Sequence, residues 1–271
     1  LQLMIKIKFI SGIIIYYNME TIVKQAREVG TSAGVLLPRK WLNKQVVVTL
    51  FLPDKAEIAK DVLDFLFTKN LNEEVKGIYI FGSYSRGDYD RGSDIDILVI
   101  TSEINKFITY KNYEIFLCSE ESLSKNFLTN LYYASMLNEI DVIVNKELIE
   151  KYIQNKKSFN PKKTLGEIRG VLKMNKDFVN FCTDYDEKVL DGVVYSLVLR
   201  LRELYLIKCL ALKKTYFKSD FFKICGEKNY ATYIRVKREE KEVNDTFPQE
   251  VKNLIDLSEK WLKELKEQKR V

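Results

Sequence analysis

Two aspartates separated by a single residue have the clearest chemical potential in this sequence. Asp94 and Asp96 alternate with Ile95 and Ile97 in an apolar run. Residues i and i+2 of a strand point to the same side, so both carboxylates should project from one face while the isoleucines enter the core. Two like charges repel unless a cation lies between them, and paired carboxylate oxygens suit Mg²⁺ or Mn²⁺. We therefore expect a divalent metal site at Asp94 and Asp96.

A glycine–serine turn lies ten residues before the first aspartate. The strand predicted at Gly77–Phe81 ends in Gly82-Ser83, and a helix that begins there would offer free backbone N–H groups and a serine hydroxyl to a phosphate. Arg86 would add positive charge, and Ser93 directly precedes the aspartates. These residues predict a phosphate-binding site beside the metal pair, which together would bind a nucleoside triphosphate.

These two features together resemble a known signature. Phe81-Gly82-Ser83, ten further residues and then Asp94-Ile95-Asp96-Ile97 resemble the motif of the DNA polymerase β-like nucleotidyltransferase superfamily, particularly its minimal members. Tyr84 stands where many of them have arginine. The resemblance implies a metal-dependent transfer of a nucleoside monophosphate from an NTP to a hydroxyl acceptor, with release of pyrophosphate. A protein, an RNA end and a small molecule such as an aminoglycoside all remain open as the acceptor.

The superfamily uses a third carboxylate on the following strand. Glu114 lies in the apolar run Tyr113–Cys118 and takes the place of the usual aspartate. Asp141, ahead of another apolar run, is the alternative, and we prefer Glu114 because of strand order. This group would bind the catalytic metal or accept the proton of the acceptor hydroxyl. The chain contains no histidine, so proton transfer must use a carboxylate, a lysine, a tyrosine or metal-bound water.

The motif residues lie in a predicted α/β (α+β) core with a mixed β-sheet, over residues 54–150. Ile58, Val62 and Leu66 recur every four residues and predict an amphipathic helix over 55–70. Apolar runs predict strands at Gly77–Phe81, Ile95–Ile100, Tyr113–Cys118 and Ile140–Val144, with helix between Glu121 and Leu137.

Residues 151–271 have the long periods of an α-helical domain. The predicted helices are Leu148–Gln154, Thr164–Asn180, Glu187–Lys213, Ser219–Lys241 and Pro248–Lys269, with a linker around Pro161. Basic and aromatic residues alternate between Lys213 and Arg238. Such a pattern could bind nucleotide bases or RNA, but we prefer the interpretation that the helices have an apolar face in the core and a basic face in solvent. Such domains beside minimal nucleotidyltransferases resemble the HEPN class, whose ribonuclease motif needs a histidine that this chain lacks. We therefore expect a substrate or scaffold role.

Residues 19–53 are predicted to form a small β-hairpin module before the core. Val29–Gly34, the following segment to Trp41 and the run from Val46 resemble AbrB/SpoVT-type swapped-hairpin DNA-binding domains. We expect strands at Val35–Leu37 and Val46–Leu52. The resemblance implies a homodimer formed through this hairpin, either with DNA or without it. The residues that would face DNA phosphates are Lys24, Arg27, Arg39, Lys40 and Lys44.

Residues 1–18 are an extension of uncertain status. The sequence begins with leucine, and Met19 opens a more ordinary segment. A weak signal peptide, an extra strand and translated upstream sequence are the alternatives. We favour the last two because no small-residue cleavage site follows the apolar stretch.

Composition excludes several classes of protein. The longest apolar runs fall far short of the roughly 20 residues that span a bilayer. Four widely spaced cysteines and no histidine provide no zinc site, so we expect buried, reduced thiols in a cytoplasmic protein. The missing histidine also removes serine–histidine and cysteine–histidine hydrolases. The net charge of +6 gives only a mild bias toward polyanions.

One rival from another class remains open. The chain could be a DNA-binding regulator or antitoxin in which the nucleotidyltransferase fold binds a nucleotide or a partner without turnover. The complete set of Gly82, Ser83, Asp94 and Asp96 favours catalysis, whereas Glu114 and the hairpin module favour the rival.

Overall fold

The chain divides into two compact units, Leu1–Leu52 and Pro53–Val271, in a computed structural model. The structure describes residues 2–10, 13–22, 24, 26–48, 53–89, 93–154 and 159–267. The two units are treated separately below, because each has its own internal contacts.

The first unit consists of two short antiparallel hairpins. β1 (Gln2–Ile10) pairs with β2 (Ile13–Thr21), so β2 runs across the predicted boundary between residues 18 and 19. β3 (Arg27–Val29) pairs with β4 (Ser32–Gly34). Of the predicted swapped-hairpin domain, the structure supports only a small hairpin.

Two strands predicted in this unit are wrong over their described residues. Residues 35–37 and 46–48 have no strand pairing, and a single 3₁₀ turn, Arg39–Trp41, lies between them. Val47 and Val48 are exposed to solvent. Valine favours a strand only where a neighbouring strand and a packed face receive it. The rest of the second prediction, residues 49–52, lies outside the described residues.

A five-stranded mixed sheet with flanking helices forms the core of the second unit, which confirms the predicted fold class. The elements are α1 (Lys55–Thr68), β5 (Val75–Phe81), α2 (Gly82–Arg86), β6 (Ile95–Thr101), β7 (Lys106–Tyr110), β8 (Tyr113–Ser119), α3 (Glu120–Asn126), α4 (Leu131–Asn138), β9 (Asp141–Val144) and α5 (Lys146–Ile153). The strand order is β7-β8-β6-β5-β9, with β6 and β8 parallel and every other neighbouring pair antiparallel.

The two faces of the sheet are covered by different helices. Ile80, Ile95 and Ile97 pack with residues of α1 on one face, whereas Tyr79 and Leu98 lie in a second cluster with residues of α3 to α5. This alternation follows from the two-residue repeat of a strand. α1 begins at a capping box in which Asp54 and Glu57 satisfy each other's backbone N–H groups. The sheet is therefore buried on both faces.

The C-terminal region is helical, as predicted. It contains α6 (Lys162–Asp184), α7 (Asp191–Ala211), α8 (Lys218–Cys225), α9 (Glu227–Lys237) and α10 (Pro248–Glu267). The helix predicted from Ser219 to Lys241 is divided at Gly226, whose φ of 82° does not continue a helix.

The long central helix α7 contacts α6, α9 and α10, and its buried leucines and valines form one core with theirs. All four cysteines are buried and unpaired, as expected. Within the described part of the chain, no helix is both long and apolar enough to cross a bilayer.

Candidate active site

The carboxylates of Asp96 and Glu114 come from neighbouring strands at the same level. β6 and β8 run parallel, and Asp96 is the register partner of Glu114. Register partners share a face of the sheet, so both side chains project to the same side. Asp94 immediately precedes β6 and is exposed, whereas Asp96 and Glu114 are half-buried. The topology thus places Asp96 beside Glu114, with Asp94 two residues before Asp96 at the start of β6.

Gly82 lies directly against Asp96. Phe81, the last residue of β5, is the antiparallel partner of Asp96. The next residue, Gly82, therefore lies beside the aspartate where the strand ends. Gly82 has a φ of 73°, and a Cβ atom at this position would overlap the Asp96 carboxylate. Glycine is therefore required here both for its backbone conformation and for the close approach.

Burial, together with neighbouring negative charge, favours the protonated form of Asp96. Burial and the neighbouring charge of Glu114 raise the pKa of Asp96 to about 7, while the Arg86 guanidinium acts in the opposite direction. Glu139 and Asp94 add further repulsion. The ionised form of Asp96 is thus destabilised in the absence of a cation, which is the electrostatic condition that a metal ion would relieve.

The donor chemistry of the site fits a hard divalent cation. Asp94, Asp96 and Glu114 supply carboxylate oxygens, which Mg²⁺ and Mn²⁺ prefer. Among the residues that the structure describes, no three histidine, cysteine or acidic side chains are already gathered as a ligand cluster. The structure therefore supports the identity of the donors and not a particular coordination geometry.

Asp141 lies on the other face of the sheet. It is the partner of Ile80 on β5, and Ile80 in turn is the partner of Ile97. Its carboxylate accepts a hydrogen bond of 2.7 Å from the Lys55 ammonium group. Since Asp96 points to the opposite side, the structure brings Glu114 to the aspartate pair and keeps Asp141 away from it.

Arg86 is held between two carboxylates. Its Nη1 donates to Glu139 Oε2 at 2.7 Å and its Nε donates to Asp88 Oδ1 at 3.1 Å, with all three side chains about one-tenth exposed. Burial raises the pKa of Glu139, although Arg86 and a hydrogen bond from the Gly82 N–H act to lower it. The predicted phosphate ligand is thus already paired with protein groups. Ser83, in α2, and Ser93, shortly before β6, are both half-buried.

Part of this chain is similar in sequence to known proteins. Residues 59–169 match the family model described as a nucleotidyltransferase domain. The matched segment contains Gly82, Asp94, Asp96 and Glu114, and it is less than half of the chain. A "Putative protein adenylyltransferase" of Methanocaldococcus jannaschii is 36% identical over 58 residues, which are 21% of this chain and 46% of the relative. The match therefore covers less than half of the length of that relative.

Two solved structures are also similar to this chain. A nucleotidyltransferase-like protein from Exiguobacterium sibiricum has 13% identity and a TM-score of 0.36, over 76% of this chain and 75% of that chain. A "putative nucleotidyltransferase" from Sulfolobus solfataricus has 25% identity and a TM-score of 0.21, over 25% of this chain and 69% of that chain. With TM-scores this low, neither structure bears on function.

Two residues beside the candidate site were not predicted from the sequence. Glu139 lies at the end of α4, and its carboxylate accepts hydrogen bonds from Arg86 and from the Gly82 N–H. Its carbonyl oxygen accepts a hydrogen bond from the Ser85 hydroxyl. Tyr216, from the helical region, packs against the Arg86 guanidinium, whose Cζ atom lies 5.3 Å from the centroid of the tyrosine ring. Neither residue belongs to a motif, so only the tertiary fold identifies them.

The helical region also contacts the end of the turn that follows Gly82. The backbone N–H of Lys218 donates to Asp88 Oδ2 at 2.6 Å, and the Asn138 amide donates to the Lys214 carbonyl at 3.3 Å. The turn from Gly82 to Asp88 is therefore held at Asp88 by the start of α8, and the Asn138 bond ties α4 to the segment between α7 and α8.

The predicted DNA-binding residues belong to the first unit. Lys24, Arg27, Arg39, Lys40 and Lys44 are all exposed there. Contact with DNA and dimerisation through this hairpin stay predictions.

Proposed function

We propose that this chain is a metal-dependent nucleotidyltransferase that moves a nucleoside monophosphate from an NTP to a hydroxyl acceptor. The observation that carries the proposal is the placement of Asp96 beside Glu114, with Gly82 so close to Asp96 that a Cβ atom would overlap its carboxylate. This arrangement occurs within the segment that matches the nucleotidyltransferase model. The α-phosphate would form a bond to the acceptor oxygen, and pyrophosphate would leave.

Each residue of the site has a distinct role in this proposal. Asp94 and Asp96 would hold Mg²⁺ or Mn²⁺, and a bound ion would neutralise triphosphate charge and polarise the acceptor hydroxyl. Glu114 would accept the proton of that hydroxyl. Gly82, Ser83 and Ser93 would bind the triphosphate.

Arg86 would act differently from the sequence prediction. Its guanidinium is engaged by Glu139 and Asp88, so we expect it to position the turn that contains Gly82. It would act on the nucleotide through that turn, in place of a direct phosphate contact.

A protein hydroxyl is the first acceptor to test, with ATP as the first NTP. The support is the name of the M. jannaschii relative, a protein adenylyltransferase, over the 58 residues that match. An RNA end and a small molecule are the other acceptors that the assay below distinguishes.

The central experiment measures label transfer. Purified protein is incubated with Mg²⁺ or Mn²⁺, each α-labelled NTP and cell extract, beside the Asp94→Asn, Asp96→Asn double variant. We expect the wild type to label an acceptor and the variant to lose at least about 100-fold of that activity, because both metal-binding carboxylates are neutralised. Protease and ribonuclease treatment of the product identifies the acceptor class.

Two results would count against the proposal. Label that the double variant retains would exclude this site as its source. Absence of label with every NTP would favour the alternative in which the fold binds a nucleotide or a partner without turnover.

The positioning role of Arg86 can be measured with a double-mutant cycle. Arg86→Gln and Glu139→Gln should each reduce transfer, and the double variant should lose little more than either single variant. We expect a coupling energy of about 1 to 3 kcal/mol, because each residue acts through their shared buried contact. The measurement is kcat and KM for the NTP in all four proteins.

The matched control is an ion pair on the opposite face of the sheet. Lys55→Gln and Asp141→Asn remove an exposed contact, for which about 0 to 1 kcal/mol is expected. If Arg86→Gln raises KM strongly while Glu139→Gln leaves transfer unchanged, Arg86 binds phosphate directly and the positioning role is wrong.

A further inference from the structure

A single buried tyrosine ring contacts guanidinium groups from two different parts of the chain. The Cζ atom of Arg86, in α2, lies 5.3 Å from the centroid of the Tyr216 ring, and that of Arg202, in α7, lies 5.5 Å from it. Both distances are within the range of a cation–π interaction. Tyr216 is only 6% exposed, so both contacts are largely shielded from solvent. The Tyr216 ring therefore connects Arg202 to the arginine of the Gly82–Asp88 turn.

The Tyr216 ring is held in place by other aromatic rings of the helical region. Its centroid lies 5.7 Å from that of Tyr205 in α7 and 6.2 Å from that of Phe221 in α8. The Tyr205 and Phe221 rings are themselves stacked, with their centroids 6.0 Å apart. Because side chains in a core interdigitate closely, the Tyr216 ring cannot shift without displacing its neighbours. The loss of one of its contacts is therefore expected to disturb the others.

Arg202 is half-buried and has no acidic partner in the part of the chain that the structure describes. No carboxylate of those residues lies within 4.0 Å of its guanidinium. The adjacent Glu203 is engaged elsewhere, since it accepts a hydrogen bond of 3.0 Å from the Tyr132 hydroxyl and pairs with Arg200 at 2.8 Å. A guanidinium does not lose its proton in a protein, so its charge must be stabilised by other groups. The electron-rich face of the Tyr216 ring can provide this stabilisation.

Three tyrosines lie near the Arg202 guanidinium. Burial acts to lower the pKa of Arg202, but Tyr216, Tyr233 and Tyr132 outweigh it and raise the pKa above its usual value. Tyr132 belongs to α4 and Tyr233 to α9. Burial raises the pKa of Tyr216, whereas Arg202 and Arg86 both act to lower it. Arg202 therefore lies where α4 and the helical region meet.

We propose that Arg202 is a positioning residue of the candidate site, which holds Tyr216 against Arg86 and thereby fixes the turn that contains Gly82. Arg86 is the basic residue with the largest effect on the pKa of Asp96, so Arg202 is expected to act on the site through it. The effect of Arg202 on nucleotidyl transfer rests on the proposed function. Its effect on the turn can be measured without any reaction.

The test measures amide hydrogen exchange in the turn of the full-length chain. The N–H of Gly87 donates to the Tyr84 carbonyl at 3.2 Å, and that of Asp88 donates to the Ser83 carbonyl at 3.0 Å. Arg202→Met should raise the exchange rate of these two amides by about tenfold, because the turn loses a support. Methionine is long and apolar and favours a helix, so this variant should keep α7 folded.

Two variants of Tyr216 test whether the ring transmits the effect. Tyr216→Phe keeps the ring and should exchange at the wild-type rate, whereas Tyr216→Leu removes the ring and should match Arg202→Met. In the transfer assay, Arg202→Met should lower kcat by about tenfold and change the KM for the NTP by less than about threefold. Combined with Arg86→Gln it should cause little further loss, because both residues act on the same turn.

Lys208→Met is the matched control. Lys208 also lies on α7, and its ammonium nitrogen is 4.6 Å from the centroid of a different ring, that of Trp261. The substitution therefore removes a cation–π contact from the same helix and leaves the Tyr216 ring with both of its guanidinium groups. It should leave the exchange rates of the turn and the kcat for transfer unchanged.

Three results would overturn the positioning role. The first is unchanged exchange in Arg202→Met, and the second is an equal increase in Lys208→Met, which would indicate a general loosening of the helical region. The third is a raised KM for the NTP with unchanged kcat, since Arg202 would then bind the triphosphate itself. If the wild type transfers no label but the exchange rates change as expected, the positioning role is supported and the proposed function fails.

Discussion

Replacement of Gly82 by alanine is expected to reduce nucleotidyl transfer by about 100-fold. The added Cβ would overlap the carboxylate of Asp96, and the backbone would be held at a φ of 73° that alanine rarely adopts. Either Asp96 must rotate away from its position beside Glu114, or the turn after β5 must move. Both responses displace a proposed metal ligand, so kcat should fall more than KM rises.

Gly87→Ala separates the two causes. Gly87 also has a positive φ, 75°, but a Cβ atom there would meet nothing within 4 Å. This variant carries the same kind of backbone strain, about 1 to 3 kcal/mol, without an overlap at Asp96. It should lose stability and keep most of its activity. Equal losses of activity in the two variants would show that strain in the turn, and not contact with Asp96, is responsible.

Replacement of Asp191 by alanine is expected to lower the free energy of unfolding by about 3 to 5 kcal/mol. Asp191 is fully buried at the start of α7. Its carboxylate accepts hydrogen bonds from Arg235 at 2.7 and 3.0 Å, and from the N–H groups of Val243 and Asn244 at 2.9 and 3.2 Å. Alanine would leave the guanidinium without its counter-ion and two backbone donors unsatisfied. Chemical denaturation measures the loss.

The contribution of Asp191 should depend on pH. Burial alone would raise the pKa of this carboxyl, but the Val243 N–H and the Arg235 hydrogen bond and charge together lower it below its usual value. A depressed folded-state pKa gives stability above the unfolded-state value of about 4, and this stability is lost as pH falls through the folded-state pKa. The difference between wild type and Asp191→Ala should therefore shrink in acid.

Asp245→Ala is the control for this prediction. Asp245 lies directly after Val243 and Asn244 in the segment between α9 and α10, but it is exposed to solvent. Its removal should change the free energy of unfolding by less than about 0.5 kcal/mol at any pH. A pH-independent loss in Asp191→Ala would show that the carboxylate contributes by packing and not by charge.

The sequence predicts the strands at the centre of the sheet because their apolar residues are buried by the fold. β5, β6 and β8 carry near-continuous apolar runs, as expected for strands covered on both faces. β7, by contrast, was not predicted. It is a short edge strand with mostly exposed residues, and its pairing with β8 defines it. Edge strands of this kind depend on a partner that a local pattern does not contain.

The same distinction applies to the candidate site. The spacing of Asp94, Asp96 and Gly82 is local, so sequence alone could place those residues near one another. Glu139 reaches the site only because α4 ends beside the turn after β5, and a lone glutamate near a helix end has no pattern of its own. Arg86 was predicted as a phosphate ligand for the same reason, since its pairing with Glu139 is a tertiary contact and its pairing with nearby Asp88 depends on the fold of the turn.

The contact of Tyr216 and Lys218 with the Gly82–Asp88 turn limits how freely the sheet core and the helical region can be recombined. A chimera that joins this core to another helical region would need an aromatic ring beneath Arg86 and a backbone donor to Asp88. Without them the turn would lose two of its supports even if both parts folded well. The two regions are therefore expected to change together during evolution, and useful junctions for protein engineering lie outside this contact.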